Sequence, residues 1–222
     1  MRERYIKMKT KIIFIRHGES QGNAVRKILG HTDMDLSELG YRQARATAEA
    51  LKDEHVDAIY SSDLLRAFNT AKPNADMRGL EVIPSKQLRE VFVGKWEDRF
   101  AEDIIAEYGE EEYFGRWLGS FGTYVFPEGE AVWDAGNRFH REVLRIAEMH
   151  PGQTIIIAAH AAVIRACWGV FTGLTPENIA QNLPFPTNAS YSVASYEDGK
   201  LTPVAFSCDE HLAEVGITHY KG

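Results

Sequence analysis

Three short segments of this chain carry residues suited to handling an anion. They are Arg16-His17-Gly18-Glu19, Ser62-Asp63-Leu64-Leu65-Arg66 and Ala159-His160-Ala161-Ala162, and each follows directly on a short apolar, strand-like run. Together they supply two arginines and two histidines. A guanidinium group can bind two phosphate oxygens at once. A neutral imidazole nitrogen can attack phosphorus. Gly18 lets the chain turn sharply after the strand and leaves His17 accessible. Taken singly, the three segments read as a surface Arg-His pair, an exposed helix arginine and a hydrogen-bonded core histidine. Their placement after three separate strands outweighs those readings and points to one focused anion site. His17, His160, Glu19 and Glu90 could instead hold a metal. Two guanidinium groups beside them would repel a divalent cation, and the sequence has no HExxH, so no metal is expected.

The elements that must position these residues alternate along the chain. Strands are expected over 11–15, 57–61, 81–83 (stopped by Pro84) and 154–158. Ser37 should cap a helix to Leu51, with Tyr41, Ala44, Ala48 and Leu51 on one face. Ser62 or Asp63 should cap a second, in which Leu65, Phe68 and Ala71 share a face. Residues 130–149 read as a long helix with Phe139, Val143, Ile146 and Ala147 inward, and 162–171 as a buried helix that includes Cys167. A hairpin is expected over 190–206, turning at Glu197-Asp198-Gly199-Lys200. This is an α/β pattern. It predicts a three-layer sandwich, a mostly parallel central sheet with an antiparallel edge and helices on both faces. In such sheets chemistry sits at the carboxyl ends of the strands.

Residues 98–127 break the alternation and read as a lid excursion lying over that edge. Glu102, Asp103, Glu107, Glu110, Glu111 and Glu112 read as a solvated helix face. Trp117, Phe121, Tyr124 and Phe126 read as packing for the excursion rather than as a substrate wall. The 222 residues, 44% apolar and 26% charged, fit a single soluble domain over 1–222. A net charge of −7 gives no global footprint for nucleic acid or membrane. The apolar run 12–15 is too short for a signal peptide, and His160 and Arg165 interrupt 154–171 as a membrane span, so a cytoplasmic protein is expected. Two widely spaced cysteines form no disulfide framework. Residues 1–8 read as dispensable, and His211 and His219 as surface residues.

These motifs, in this order, resemble those of the histidine phosphatase superfamily, named also after cofactor-dependent phosphoglycerate mutase. The matching stretches are 14–20 with Asn23, 30–44, Ser61 to Ala67 with Thr70-Ala71, Leu88-Arg89-Glu90 with Gly94 and Trp96-Glu97, Pro127 to Glu130, and the His160 segment. The resemblance runs from residue 11 to about 206. It implies that His17 is the phosphorylated nucleophile and that Glu90 gives a proton to the leaving oxygen. It implies that Arg16, Arg66 and His160 hold the phosphoryl group, helped by Asn23 and the backbone at Ala161, with no cofactor. Glu19 would orient neighbouring cations. The chain departs from the family pattern at Ala161-Ala162 (commonly Gly-Gly), Gly22 (Trp in the mutases), Asp35 (commonly Pro) and Asp98 (commonly Gly). The stretch 88–98 and the acidic excursion favour hydrolysis of a small phosphate ester. Arg26, Lys27, Lys95 and Arg99 could build the second anion site that a mutase needs. A non-catalytic phosphate-binding module is disfavoured by the presence of both His17 and Glu90.

Overall fold

A computed structural model describes residues 9–218. In chain order its elements are β1 (Thr10–Arg16), α1 (Gln21–Ala24), β2 (Lys27–Ile28), α2 (Glu38–Ala50), β3 (Ala58–Ser62), α3 (Leu65–Arg78), β4 (Val82–Ser85), β5 (Arg99–Phe100), α4 (Ala101–Tyr108), a π-helix (Glu111–Leu118), α5 (Val132–Met149), β6 (Thr154–Ala159), α6 (Ala161–Thr172), α7 (Ile179–Asn182), β7 (Tyr191–Glu197) and β8 (Lys200–Cys208). The main sheet has the order β4-β3-β6-β1-β7-β8, parallel from β4 to β1 and antiparallel at the β7–β8 edge. The β7–β8 turn puts Asp198 and Gly199 at φ of 50° and 77°, the left-handed pair that a tight hairpin needs.

The strands alternate sides with period two, and that alternation makes the three layers. Ile12, Phe14, Ile155 and Ile157 face a core with Phe139, Val143 and Ile146 of α5. Ile13, Ile15, Ile59 and Ile156 face a second core with Ala71 and Ala75 of α3. Each fully buried Ile or Phe contributes about 1.5–3 kcal/mol.

Two expectations at element ends are corrected. Pro84 lies within β4, opposite Ser61, and does not stop it. β4 is an edge strand, so the missing N–H of proline costs no ladder bond there. The N-cap of α3 is Leu64, without a side-chain cap. Asp63 is taken instead by Arg89 at 2.6 Å, and Asp33, from a distant loop, accepts from Leu65 N at 2.7 Å. The inner face of α3 is Arg66, Ala67, Thr70, Ala71 and Asn74, and Leu65 is 43% exposed. Helix α2 starts as expected, with Ser37 Oγ accepting from Gly40 N at 3.0 Å. Ala44, Ala48 and Leu51 of its expected face are buried, and Tyr41 is exposed.

Gly40 also brings α2 against the catalytic loop. A Cβ at Gly40 would lie 2.0 Å from Glu19 O, and one at Gly18 would lie 2.6 Å from Gly40 O. Both obstacles are backbone and cannot rotate away. Gly40→Ala should therefore cost about 1–3 kcal/mol in urea unfolding and lower turnover as the loop shifts. Unchanged stability would show that the two backbones can separate freely.

Residues 98–127 do not form a separate layer. Trp96, Tyr113, Trp117, Phe121, Tyr124 and Phe126 are all buried in the same core as Phe14 and Phe139. Trp96 stacks on Tyr113 at 5.8 Å between ring centroids. β5 pairs with β2, tying the start of this region to the segment after Asn23. Glu102, Asp103, Glu107, Glu110 and Glu111 lie exposed, as a solvated face should, and Glu112 is half-buried and accepts from Tyr124 Oη at 2.8 Å. Cys167 is buried, as expected. His211 is not a surface residue. It is half-buried on α2, its Nε2 3.1 Å from Thr47 Oγ1 and 3.2 Å from Ala189 O, and burial lowers its pKa. His219 and residues 1–8 lie outside the described residues. Among the described residues no helix is long and apolar enough to cross a membrane.

Candidate active site

Register brings the site together. Ile15 pairs with Ala158, and Ser61 pairs with the same Ala158. The residues that follow, Arg16-His17, Ser62 with Arg66 one turn on, and His160, therefore emerge side by side at the carboxyl edge. Arg16, His17, Asn23, Arg66, Glu90 and Ala161 line one narrow inner pocket of about 60 Å³. His160 stands beside it, fully buried, its ring centroid 5.2 Å from that of His17.

His17 Nδ1–H donates to Gly18 O at 2.7 Å. That bond fixes the tautomer and leaves Nε2 with its lone pair. Burial, and then the charges of Arg66 and Arg16, hold the imidazole pKa well below its ordinary value, outweighing the Gly18 bond. His17 is therefore neutral at neutral pH. His160 is likewise pushed well down, by burial and then by Arg66 and His17. Neither of its ring nitrogens has a hydrogen-bond partner among the described residues. A buried N–H left unsatisfied is costly, and a bound anion would accept from it.

Arg66 is fully buried, and burial lowers its pKa to about 10. Its Nη1 donates to Thr32 O at 2.8 Å and its Nη2 to Gly30 O at 2.7 Å. Each terminal nitrogen carries a second proton, so the fork keeps a proton on each for phosphate oxygens. Arg16 Nη1 donates to Pro186 O at 2.5 Å, which fixes its direction. Asn23 Oδ1 accepts from Ser20 N, and Ser20 Oγ accepts from Asn23 N, a reciprocal cap on α1.

Glu90 sits on the start of α6. Its Oε2 accepts from Ala162 N at 3.1 Å, and its Oε1 from Val163 N and Val91 N at 3.0 Å each. A helix N-terminus suits an anion. The alanines in place of Gly-Gly begin α6 in helical backbone, with the Ala162 N–H donated to Glu90 and Ala161 on the pocket lining.

Sequence reading assigned no role to the residues that brace this arrangement. Glu97 holds the 30–32 loop, its carboxylate accepting from His31 N, Thr32 N and Thr32 Oγ1 at 2.7–2.8 Å. Thr70 accepts from Gly18 N at 3.0 Å and donates to Arg66 O at 2.7 Å, coupling the nucleophile loop to the arginine helix. Arg138 and His31 both donate to Glu90 O, and Asn188 donates to His17 O. Trp117 lines the inner pocket as well as the core, which corrects its reading as packing alone. Glu19 was expected to orient cations. Its Oε1 accepts from Ser37 Oγ at 2.8 Å, and that bond fastens the loop to α2.

A neutral imidazole facing a pocket lined by guanidinium groups can take a phosphoryl group. Fold and site together put the protein in the histidine phosphatase class. The chain belongs to the histidine phosphatase superfamily, branch 1, whose family model matches residues 12–209. Among individual proteins it is 32% identical to phosphoserine phosphatase 1 of Hydrogenobacter thermophilus, over 95% of this chain and 98% of that protein. It is 30% identical to a probable phosphoglycerate mutase, GpmB, of Yersinia pestis, over 85% and 86%. Among solved structures it resembles mycobacterial glucosyl-3-phosphoglycerate phosphatase in complex with VO3, with a TM-score of 0.80, 27% identity, and coverage of 89% of this chain and 98% of that one.

Proposed function

We propose that the protein hydrolyses a small phosphomonoester through a phosphohistidine intermediate on His17. The observation that carries this is the His17 ring: Nδ1–H is committed to Gly18 O, so Nε2 keeps its lone pair on a residue that lines the same pocket as Arg66. Nε2 attacks phosphorus as the ester oxygen leaves. Charge spreads over the equatorial oxygens, and the protons of Arg66 and Arg16, with the amide of Asn23, hold it. His160 lies at hand for a further oxygen, and the dianion there favours its protonated form. Glu90, in its acid form once the ester dianion is bound beside it, delivers its proton to the departing alcohol oxygen. The same carboxylate then takes a proton from the water that attacks phospho-His17, which returns the enzyme to its starting state.

The proton step is tested by leaving group. Glu90→Gln should lower kcat on an alkyl phosphate by about 10²- to 10⁴-fold. It should lower kcat on p-nitrophenyl phosphate far less, because that phenolate leaves without a proton. Equal losses on both esters would remove Glu90 from the acid role.

A mutase would need a second anion site. Of its candidates, Lys95 and Arg99 pair with Glu128 at 2.8 Å and Glu107 at 2.7 Å, which leaves Arg26 and Lys27. Hydrolysis is the better reading on the strength of the phosphoserine phosphatase from Hydrogenobacter, matched along nearly its whole length. Two unpaired cysteines, Cys167 and Cys208, fit the reducing cytoplasm.

A further inference from the structure

A second, larger pocket of about 270 Å³ opens from the inner one and shares Arg16, Asn23, Lys27 and Ile28 with it. Phosphoryl transfer explains the inner lining but not the rest of this one. Arg26 lines it, is exposed, and pairs with no carboxylate among the described residues. Lys27 lines it too, its ammonium shared with Asp98 at 2.8 Å. Tyr113 of the π-helix lines the same space. Its hydroxyl is buried and has no hydrogen-bond partner among the described residues. Burial pushes the phenol up to about 12, so at neutral pH it is a donor, and Arg26 is the cation that acts on it. Among the described residues Glu19 is the one carboxylate on this lining, and one of its oxygens is already taken by Ser37.

The pocket is thus rich in donors and positive charge, and it adjoins the phosphoryl site. An uncharged alcohol would leave the guanidinium without a counter-charge and would have to compete with water for it. An anionic group would satisfy Arg26 and the Tyr113 hydroxyl together. We infer that Arg26 and Tyr113 are specificity-determining residues that hold a second anionic group of the substrate, a few bonds from the phosphoryl group being transferred. This rests on the phosphomonoesterase reading above. A carboxylate and a second phosphate share the required chemistry.

Two matched pairs of esters separate these sources. O-phosphoserine and O-phosphoethanolamine differ by a carboxylate. Ethylene glycol bisphosphate and hydroxyethyl phosphate differ by a phosphate. The wild type should prefer the more anionic member of one pair by about tenfold or more in kcat/KM, chiefly through KM, the scale of one charge-assisted hydrogen bond. The pair that shows the preference names the group. Arg26→Gly should bring that ratio close to one, and Arg26→Lys should retain most of it. Glycine suits position 26, where φ is +60°, so this variant removes the side chain without straining the fold. Tyr113→Phe should cut the ratio several-fold. A ratio taken within one preparation does not depend on how much of the protein is folded. Wild-type enzyme that turns over p-nitrophenyl phosphate yet shows no preference in either pair overturns the proposal, as does a preference that survives Arg26→Gly. Wild-type enzyme that turns over no ester at all overturns the phosphatase reading instead, and this one with it.

Discussion

His17→Ala is expected to reduce turnover of every phosphomonoester by about four orders of magnitude or more, the scale seen when a covalent nucleophile is removed. The fold should survive. His17 is 5% exposed, and alanine leaves both core faces of β1 intact. Rapid base quenching of the wild type during turnover should yield a base-stable, acid-labile phosphopeptide containing His17, absent from the variant. Its pH behaviour is a further readout. The imidazole pKa lies well below 6.5, so nucleophile ionisation should cause no loss of rate between pH 7.5 and 6.5. A variant that folds and keeps a tenth of the activity would refute the phosphohistidine mechanism.

Arg66→Ala should have a large effect on two properties at once. Removing a preorganised donor fork from a transition state costs about 10²- to 10³-fold in kcat. The variant also strips Gly30 O and Thr32 O of their donors and opens a cavity where a fully buried side chain lay. Each carbonyl left unsatisfied costs about 1–3 kcal/mol. The loss is offset only in part by no longer burying a charge, whose cost shows in the lowered Arg66 pKa. Calorimetric titration with inorganic phosphate and thermal melting separate the two effects. Both affinity and Tm should fall. Arg66→Lys should recover part of the charge interaction without the planar fork. Wild-type phosphate affinity in a folded Arg66→Ala protein would show that Arg66 only holds the 30–32 loop.

The sequence made the strand-end residues readable because position and chemistry coincide there. Arg16, His17 and His160 each follow an apolar run that can only be a buried strand, and parallel strands end level with one another. Arg66 was readable for the same reason, one helical turn further on. What stayed hidden depends on contacts between distant segments. Asp33 caps α3 from 32 positions away, a pairing that no local pattern encodes. Glu97 stood in a recognisable motif, yet its work on Thr32 is visible only once the loops meet. Trp117 and Tyr113 look the same in sequence whether they fill a core or line a pocket, and here they do both. Pro84 read as a strand end because an edge strand cannot be told from a central one before the sheet order is known. The π-helix has no sequence signature of its own.

The order of the sheet also governs when the enzyme comes into being during synthesis. β6 lies between β3 and β1, and Lys11 pairs with Thr154. A nascent chain carries β1 and β3 for about a hundred residues before the strand that joins them exists. Until then both present bare edges, of the kind that invites pairing with other chains. His17 and Arg66 are meanwhile held on separate pieces, with no pocket between them. Catalytic competence is thus a property of the nearly finished polypeptide, gained only after β6 has closed the gap and Pro186 and Asn188 have followed to fix Arg16 and His17.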